Sequence, residues 1–418
     1  MGSILALRRL VAAGTGVLAA GCLLLDPSAA QSEDKGTSWA VAWAASVVSG
    51  TEGSPLPPGI GFYDRTLRMI LRPSIGGERL RLRICNSYGE RPLLIGKVTI
   101  AAKLISASIR PGAKLVTFAG NSSTTIAPGG MAVSDTVELE TSAGRDLAVD
   151  LYLPQGADAP TWHPLANRTS YISLPGDYAG AAVWFVSTPI RSWHFVCGLD
   201  IAAPEHAMAV IAFGDSLIDG QGATLDQAAT LPDVLARRLA EAGHADVSVI
   251  NAGIAGNRLI HEGRGASGLA RFGRDVLAQP AAKIVILLEG MNDFGSPRIK
   301  LFPGQAVSVG ELTDAYRQIV SRAHAAGLRI IAGTLTPFAG SNHDSEQNEL
   351  KRRQINEWLR KTAGGPDSFD ALIDFDAVLR DPARPERLLE DYDSGDHFHP
   401  NDAGYRAMAE AIGLDLLR

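Results

Sequence analysis

The spacing of apolar residues changes once along this 418-residue chain, near residues 202–206. Between residues 37 and 201, apolar residues alternate with polar ones, as at residues 147–153, and Gly and Pro end each run. A period of two predicts strands with one buried face. Because such strands follow one another without a convincing helix, we predict an all-β sandwich of jelly-roll type for residues 37–201.

A hairpin is predicted early in this segment. The apolar residues within 67–71 and 80–84 alternate with arginines, and Gly76 and Gly77 supply a turn between the two runs. The arginines are expected to form a face exposed to solvent.

Three tryptophans of the same segment, Trp162, Trp184 and Trp193, allow two interpretations. They could form a platform on which a sugar ring stacks, or they could belong to the core. Aromatic residues in strands are more often buried, so the core interpretation is favoured.

From residue 206 to residue 418, apolar strands alternate with amphipathic helices, which is typical of a parallel sheet covered on both faces. We predict a flavodoxin-like three-layer α/β/α domain here, with its functional residues at the carboxyl ends of the strands. The final helix is expected to begin at Pro400. Proline lacks a backbone N–H, and in the first turn of a helix that group would have no helical acceptor. Strands are predicted near residues 210–213, 247–251, 284–288, 328–334 and 372–375.

Polar motifs follow these strands at their carboxyl ends. Ser216 follows the first strand, Gly253 the second and Asn292 the third, while Asp396 and His399 come after the fifth. Loops from distant parts of the sequence would therefore meet at one crevice. A serine on a strand-to-helix turn, with a carboxylate and an imidazole elsewhere, supplies the parts for acyl transfer.

In this order the motifs resemble those of the SGNH, or GDSL, hydrolases. That family carries a Gly-Asp-Ser block, a glycine in a second block, a Gly-x-Asn-Asp block and an Asp-x-x-His pair. The resemblance implies that Ser216 is the nucleophile and that Asp396 and His399 complete a catalytic triad. It likewise assigns Gly253 and Asn292 to the oxyanion hole.

The resemblance covers residues 209–417. More loosely, residues 37–201, the front segment, resemble the β-rich accessory domain of secreted members that are similar to plant-polysaccharide acetylesterases. The resemblance therefore implies an exported carboxylic ester hydrolase with two domains, at residues 37–201 and 206–418.

The chemistry of ester hydrolysis agrees with these roles. A serine hydroxyl is a poor nucleophile until a base such as His399 accepts its proton, and Asp396 would orient the imidazole. The oxyanion needs donors, which we expect to be the backbone N–H groups of Ser216 and Gly253 and the side-chain amide of Asn292.

Two acids beside these motifs, Asp215 and Asp293, are predicted to be structural, because an acid beside a tight turn usually bonds to backbone. The Gly-x-Ser-x-Gly elbow of ordinary lipases is missing, since Ile218 occupies its last position. No lysine of a P-loop follows Ser216 either. Neither a cofactor nor a metal is expected.

Two alternatives come from other classes of protein. Asp393, Asp396, His397 and His399 could bind zinc or iron, but a metal site leaves the Gly-Asp-Ser block unexplained. Alternatively, the front domain could bind carbohydrate beside an inactive hydrolase-like domain, which the complete set of motifs disfavours. As a base, His397 competes with His399, yet it directly follows Asp396 and breaks the family spacing.

The amino-terminal residues have the order of a signal peptide. Two arginines at positions 8 and 9 precede an apolar stretch at residues 10–25, and small residues precede Gln31. We therefore predict a signal peptide at residues 1–30 and export, with no integral membrane span in the mature chain. Lipidation at Cys22 is an alternative that would anchor the exported protein.

After removal of this leader, Cys85 and Cys197 are the remaining cysteines. They could pair in an oxidising compartment or stay as buried thiols. The net charge of -6 comes without a basic block, which argues against a nucleic-acid partner. The sequence leaves the oligomeric state open.

Substrate choice should depend on three loops around the crevice, at residues 262–268, 294–310 and 337–345. They are rich in Gly, Ser and Pro and contain no long apolar lid. We therefore predict hydrolysis of short acyl esters, such as acetyl esters of small molecules or plant polysaccharide. Hydrolysis of lysophospholipid or other lipid esters is the second choice.

Overall fold

The computed structural model describes residues 36–50, 61–157, 161–295 and 303–417. Thr37–Arg418 cluster as one compact unit. The predicted signal peptide, Cys22 and residues 296–302 of the loop at residues 294–310 lie outside the described residues. Among the residues that are described, no helix has the length and apolar character needed to cross a membrane. The boundary between two domains near residues 201–206 stays a prediction.

The first part of the chain is built from antiparallel strands. A five-stranded sheet has the order β1-β16-β4-β10, with β9 beside β4, and a six-stranded sheet has the order β14-β13-β3-β11-β6-β7. Apolar side chains from both sheets meet in one core, so the predicted β-sandwich is confirmed. The strands are β1 Trp39–Ala44, β2 Val48–Ser49, β3 Arg65–Leu71, β4 Gly77–Cys85, β5 Leu93–Ile95, β6 Lys97–Ala102, β7 Lys114–Val116, β8 Thr124–Ile126, β9 Met131–Val133, β10 Val137–Thr141, β11 Leu147–Leu153, β12 Thr161–His163, β13 Ser170–Pro175, β14 Ser187–Ile190, β15 Trp193–His194 and β16 Val196–Ala202.

The predicted hairpin between β3 and β4 is wrong. Strand β3 pairs with β11 and β13, whereas β4 pairs with β10 and β16, so the chain crosses from one sheet to the other at Gly76. The outer face of β3 is also buried. Arg68 is fully buried there, where it forms an ion pair with Asp150 at 2.7 Å and lies 4.2 Å from the ring of Trp184. A second layer of side chains therefore covers the face that the alternation assigned to solvent.

The tryptophans belong to packed regions of this half. Trp162 and Trp184 are buried, and Trp193 packs edge-on against Trp43 at 4.9 Å. These positions favour the core interpretation over a sugar-stacking platform. Cys85 and Cys197 are free thiols on the neighbouring strands β4 and β16.

The second part of the chain is a parallel sheet with helices. Its strand order is β18-β17-β19-β20-β21, which is the order 2-1-3-4-5 of flavodoxin-like folds. The predicted fold class is therefore confirmed. Its strands are β17 Met208–Gly214, β18 Val247–Gly253, β19 Ala282–Leu288, β20 Arg329–Gly333, β21 Ala371–Ile373, β22 Arg380–Asp381 and β23 Arg384–Leu388. The described α-helices are α1 Ser216–Asp219, α2 Leu231–Glu241, α3 Gly268–Phe272, α4 Met291–Phe294, α5 Val309–Ala325, α6 Glu346–Thr362, α7 Phe375–Leu379 and α8 Asp402–Glu410, with short 3₁₀ or π turns at Gly273–Leu277, Pro303–Gln305, Glu390–Tyr392 and Leu414–Leu417.

The final helix begins later than predicted. Asn401 caps helix α8, because its side chain accepts hydrogen bonds from the N–H groups of Ala403 and Gly404. Pro400 therefore lies before the cap and not in the first turn. Asn is among the best N-cap residues, and its capping bonds fix the start of the helix.

The sandwich packs directly on the parallel sheet. Val41 and Ala44 of β1 are part of the hydrophobic core of the second half, and Val249 N–H of β18 donates to Ser74 Oγ at 3.1 Å. A smaller apolar cluster joins Val48 and Trp162 to Ile254. The front half therefore supports the strand that ends at Gly253.

Candidate active site

The Gly-Asp-Ser motif forms a tight turn between a strand and a helix. Strand β17 ends at Gly214, where a Cβ atom would lie 2.0 Å from the carbonyl oxygen of Leu288. A residue larger than glycine would clash there. Asp215 caps helix α1 by accepting a hydrogen bond from Leu217 N–H at 3.0 Å. Ser216 is consequently the first helical residue, and no helical carbonyl accepts its N–H.

Ser216, His399 and Asp396 form a continuous hydrogen-bonded chain. Ser216 Oγ lies 2.8 Å from His399 Nε2, and His399 Nδ1 lies 2.6 Å from Asp396 Oδ2. The other carboxylate oxygen of Asp396 accepts from the backbone N–H of His399 at 2.8 Å. The spacing of three residues therefore lets one carboxylate hold both the ring and the backbone of the same histidine.

The carboxylate of Asp396 is favoured in its charged form. Burial alone would raise the pKa of Asp396, but the hydrogen bonds from the ring and backbone of His399 outweigh burial and hold it well below its usual range. Asp396 is thus an acceptor for the imidazole at neutral pH. An acceptor at Nδ1 leaves Nε2 free to take the serine proton.

Asn292 faces the same turn from the next strand of the sheet. It lies on helix α4, after β19, and Gly290 before it has a φ of 128°, which favours glycine. Asn292 Nδ2 donates to Asp215 Oδ2 at 3.2 Å. One hydrogen of the amide is thereby occupied, and the second is available to an oxyanion at Ser216.

Gly253 is close to the turn, although its N–H has a partner. It donates to Asn251 Oδ1 at 3.0 Å, so it must leave that acceptor before it can bind an oxyanion. The close approach itself requires glycine, because a Cβ atom would lie 2.2 Å from the backbone nitrogen of Asp219. The structure thus brings all five predicted residues to one region, with the Gly253 donor engaged elsewhere.

His343 also belongs to this site, and the sequence motifs did not identify it. Its Nε2 lies 3.1 Å from Asn292 Oδ1, and its ring stacks on Phe398 with centroids 4.3 Å apart. Burial, together with the nearby His399, lowers the pKa of His343 to about 4. The neutral ring can therefore donate from Nε2 to Asn292, which keeps the amide oxygen away from Asp215. The only signal in the sequence is a histidine in one of the predicted crevice loops.

Buried acids lie beneath the turn. Burial raises the pKa of Asp215 to about 7, that of Asp293 to about 6 and that of Glu289 to about 8. Asp293 accepts hydrogen bonds from the backbone N–H groups of Leu259 and Ile260 at 2.7 and 2.9 Å. Asp215 and Asp293 thus bond to backbone, as expected of structural acids, although Asp293 holds a loop that is distant in sequence.

The front half contributes a buried ion pair behind the nucleophile. His163 Nε2 lies 2.9 Å from Asp219 Oδ1 at the end of α1, and Asp219 Oδ2 accepts from Ala255 N–H at 2.8 Å. The second ring nitrogen of His163 lies 2.7 Å from the carbonyl oxygen of Ser46. Because both ring nitrogens face acceptors, the geometry favours the imidazolium form.

The side chains of the metal alternative do not converge. His397 Nδ1 contacts Asp393 Oδ2 at 2.6 Å on the exposed side of the loop, while His399 faces Ser216. Within the part of the chain that the structure describes, no group of three or more His, Cys, Asp or Glu side chains could hold a metal ion. The geometry therefore offers no support for the metal alternative.

The second part of the chain matches a known protein family. Residues 212–407 match the model of the GDSL-like Lipase/Acylhydrolase family. No curated protein matches the chain. Solved structures are similar over about half of it. An acetyl xylan esterase has 22% identity and a TM-score of 0.38, with 49% of this chain and 97% of that chain covered.

Two further structures are similar to the same extent. A carbohydrate acetylesterase family member from Sinorhizobium meliloti has 15% identity and a TM-score of 0.39, with 50% of this chain and 97% of that chain covered. A lipase/acylhydrolase from Enterococcus faecalis has 20% identity and a TM-score of 0.39, with coverages of 50% and 95%. Residues 212–407 are thus a domain of the GDSL-like lipase/acylhydrolase type, and the chain is a carboxylic ester hydrolase.

Proposed function

We propose that this protein is an exported serine esterase that removes short acyl groups, acetyl above all, from polar alcohols such as acetylated plant polysaccharide. The observation that carries the proposal is the chain of hydrogen bonds from Ser216 through His399 to Asp396, at 2.8 and 2.6 Å. These contacts have the lengths and the order that a nucleophile, a base and an orienting carboxylate require.

In the proposed reaction, Ser216 Oγ attacks the ester carbonyl carbon as its proton passes to His399 Nε2. The tetrahedral oxyanion accepts hydrogen bonds from the N–H of Ser216 and from Asn292 Nδ2, and from Gly253 N–H once that group leaves Asn251. The alcohol departs with the proton from His399, which leaves an acyl-serine. Water then attacks the acyl group with His399 as base, and the carboxylic acid is released.

A small acyl group is favoured by the burial of the reacting atoms. Ser216 is 2% exposed, Asn292 4% and His399 7%, so only a narrow approach leads to the hydroxyl. The described part of the predicted crevice loops is polar, with Gly340 and Ser341 in one of them. A long acyl chain would gain little burial against such loops, whereas a polar alcohol would find hydrogen-bonding groups.

Rates on nitrophenyl acetate, butyrate and octanoate, together with acetate release from acetylated xylan, test this choice of substrate. We expect kcat/KM to fall as the acyl chain lengthens, and acetate to be released from the polysaccharide. The Ser216→Ala variant is the control for background hydrolysis. A preference for octanoate without release of acetate would reject the proposal in favour of a lipid esterase.

Export is a separate part of the proposal. It is supported by the order of charges and apolar residues in the first 30 positions. Mass spectrometry of the protein from expressing cells would reveal a mature amino terminus near Gln31 if the leader is removed. A lipidated amino terminus at Cys22 would indicate an anchored form, and an intact leader on cytoplasmic protein would contradict export.

A further inference from the structure

A cavity of about 310 Å³ lies between the β-sandwich and the parallel sheet. Its apolar wall comes from both halves, with Ala44 and Leu165 on one side and Ala236 and Val249 on the other. This volume is at the lower end of the range for small-molecule sites, about 300–1,000 Å³. The described residues that line it do not include Ser216, so the cavity is separate from the candidate active site.

Arg168 lines this cavity, and its side chain is 5% exposed. Its Nη1 donates to the carbonyl oxygen of Asp226 at 2.9 Å. Its Nη2 is buried and finds no hydrogen-bond partner in the described part of the chain. Asp233 Oδ1, at 3.9 Å, is too distant for a hydrogen bond. One donor edge of a buried cation is therefore unused.

The other charged groups of the cavity wall that are shielded from solvent, Arg72, Asp219 and Asp233, already have partners. Burial lowers the pKa of Arg168, which indicates that the surrounding carboxylates do not compensate for its loss of water. An unused donor on a buried cation is costly, and a ligand that accepts from it removes that cost. Arg72 contacts Asp146 at 2.7 Å, and Asp219 contacts His163 at 2.9 Å. Asp233 accepts a hydrogen bond from Thr230 at 2.8 Å.

We infer that this cavity binds a small organic carboxylate, whose charged group accepts from Arg168 Nη2 and whose apolar body lies against Ala44 and Val249. The planar guanidinium matches a carboxylate in geometry and in charge. The cavity wall also includes Asn251, which donates to the backbone oxygen of Asp219 at the end of α1. Ester hydrolysis releases a carboxylic acid, so the site would take a ligand of the same chemical class as the product.

Calorimetric titration of the purified protein with benzoate tests this inference. Benzyl alcohol serves as the uncharged probe with the same ring. We expect saturable binding of benzoate that is at least about tenfold tighter than that of benzyl alcohol, because only benzoate offers a charged acceptor to the buried guanidinium. Equal affinity of the two probes, or no binding of benzoate, would overturn the inference.

Variants locate the bound probe. Arg168→Gln should weaken benzoate binding at least about tenfold, whereas Arg237→Gln, at an exposed arginine of the same cavity, should change it less than about threefold. Ala236→Leu should block binding by filling the cavity, and it decides the matter if Arg168→Gln does not fold. Benzoate binding that survives in both Arg168→Gln and Ala236→Leu would place the probe at another site and reject the cavity.

Discussion

At the residue scale, the orientation of one amide decides whether the candidate oxyanion hole works. Asn292 contacts Asp215 through Nδ2 and His343 through Oδ1, at 3.2 and 3.1 Å. A flipped amide would place its oxygen against the Asp215 carboxylate and its nitrogen against the N–H of His343. These two neighbours therefore select the orientation in which Nδ2 lies on the side of Asp215, so that its second hydrogen can serve an oxyanion.

Replacing Asn292 with alanine should lower kcat by about a hundredfold or more and change KM little. The physical reason is that one preorganised donor to the oxyanion acts mainly in the transition state. Steady-state kinetics on nitrophenyl acetate measure both constants. An unchanged kcat would remove Asn292 from the oxyanion hole.

His343 should act through Asn292. We expect His343→Ala to lower kcat by about tenfold with little change in KM, and His343→Gln, which keeps an N–H donor, to restore much of the loss. In the Asn292→Ala background, His343→Ala should have almost no further effect on kcat, because its target is gone. Additive losses in the double variant would show that His343 acts independently of Asn292.

The motif residues could be predicted from the sequence, but their supporting residues could not. Ser216 and Asn292 each come shortly after a parallel strand, and parallel strands end at one edge of the sheet, while His399 belongs to the Asp-x-x-His motif. His343 and His163 are 51 and 56 positions from the residues they contact, and neither belongs to a motif. Their roles depend on packing, which a local pattern does not specify.

At the scale of elements, residues of the front half of the chain contact the last residue of helix α1 and hold it in place. Asp219, at its last position, joins His163 of β12 to the backbone of Ala255 after β18. Asn167 also donates to the carbonyl oxygen of Asp219 at 2.9 Å. Helix α1 and the Gly253 loop are therefore both connected to the sandwich through one carboxylate.

This ion pair should make stability depend on pH. Burial opposes a charge on His163, but Asp219 outweighs it, so the pKa of His163 is raised above its usual 6.5. Such a group stabilises the fold fully below the unfolded pKa, and its contribution is lost as the pH rises through the folded pKa. Removal of one partner of a buried pair costs about 3–5 kcal/mol.

We therefore expect His163→Gln to lower the free energy of unfolding by about 3–5 kcal/mol at pH 6 and by clearly less at pH 9. Urea unfolding of both proteins at the two pH values measures this difference. An effect of the same size at both pH values would contradict a charged His163.

The sequence predicts the positions of strands and helices better than it predicts which strands pair and which side chains meet. The parallel strands follow apolar runs that local hydrophobicity identifies, and helix α2 fits its apolar spacing. The alternation of apolar residues with arginines also identifies β3 and β4 as strands. Such alternation does not specify which strand pairs with which. The predicted exposure of Arg68 failed because Asp150 and Trp184 cover it.

At the scale of the whole molecule, the sandwich is part of the support for the candidate site. Val41 and Ala44 complete the core of the second half, and Arg271, under the turn at Gly214, lies 3.4 Å from Ser46 Oγ. Without the front half, this apolar surface and the His163 acceptor Asp219 would face water. Burial of such surface is worth about 25 cal/mol per Å².

A protein limited to residues 206–418 should therefore lose most of its activity and stability. Expression of this fragment beside a protein of residues 37–418, followed by thermal unfolding and hydrolysis of nitrophenyl acetate, checks this expectation. Addition of separately expressed residues 37–205 should restore activity in part. An active fragment with an unchanged Tm would show that the front half is a dispensable accessory.

The most direct test of the central claim is active-site labelling. The protein is treated with a fluorophosphonate, its residual esterase activity is followed, and the modified residue is identified by mass spectrometry. We predict a single adduct on Ser216 that increases as activity is lost, and no adduct or activity in a folded Ser216→Ala variant. An adduct on another residue, or full activity in Ser216→Ala, would contradict the serine mechanism.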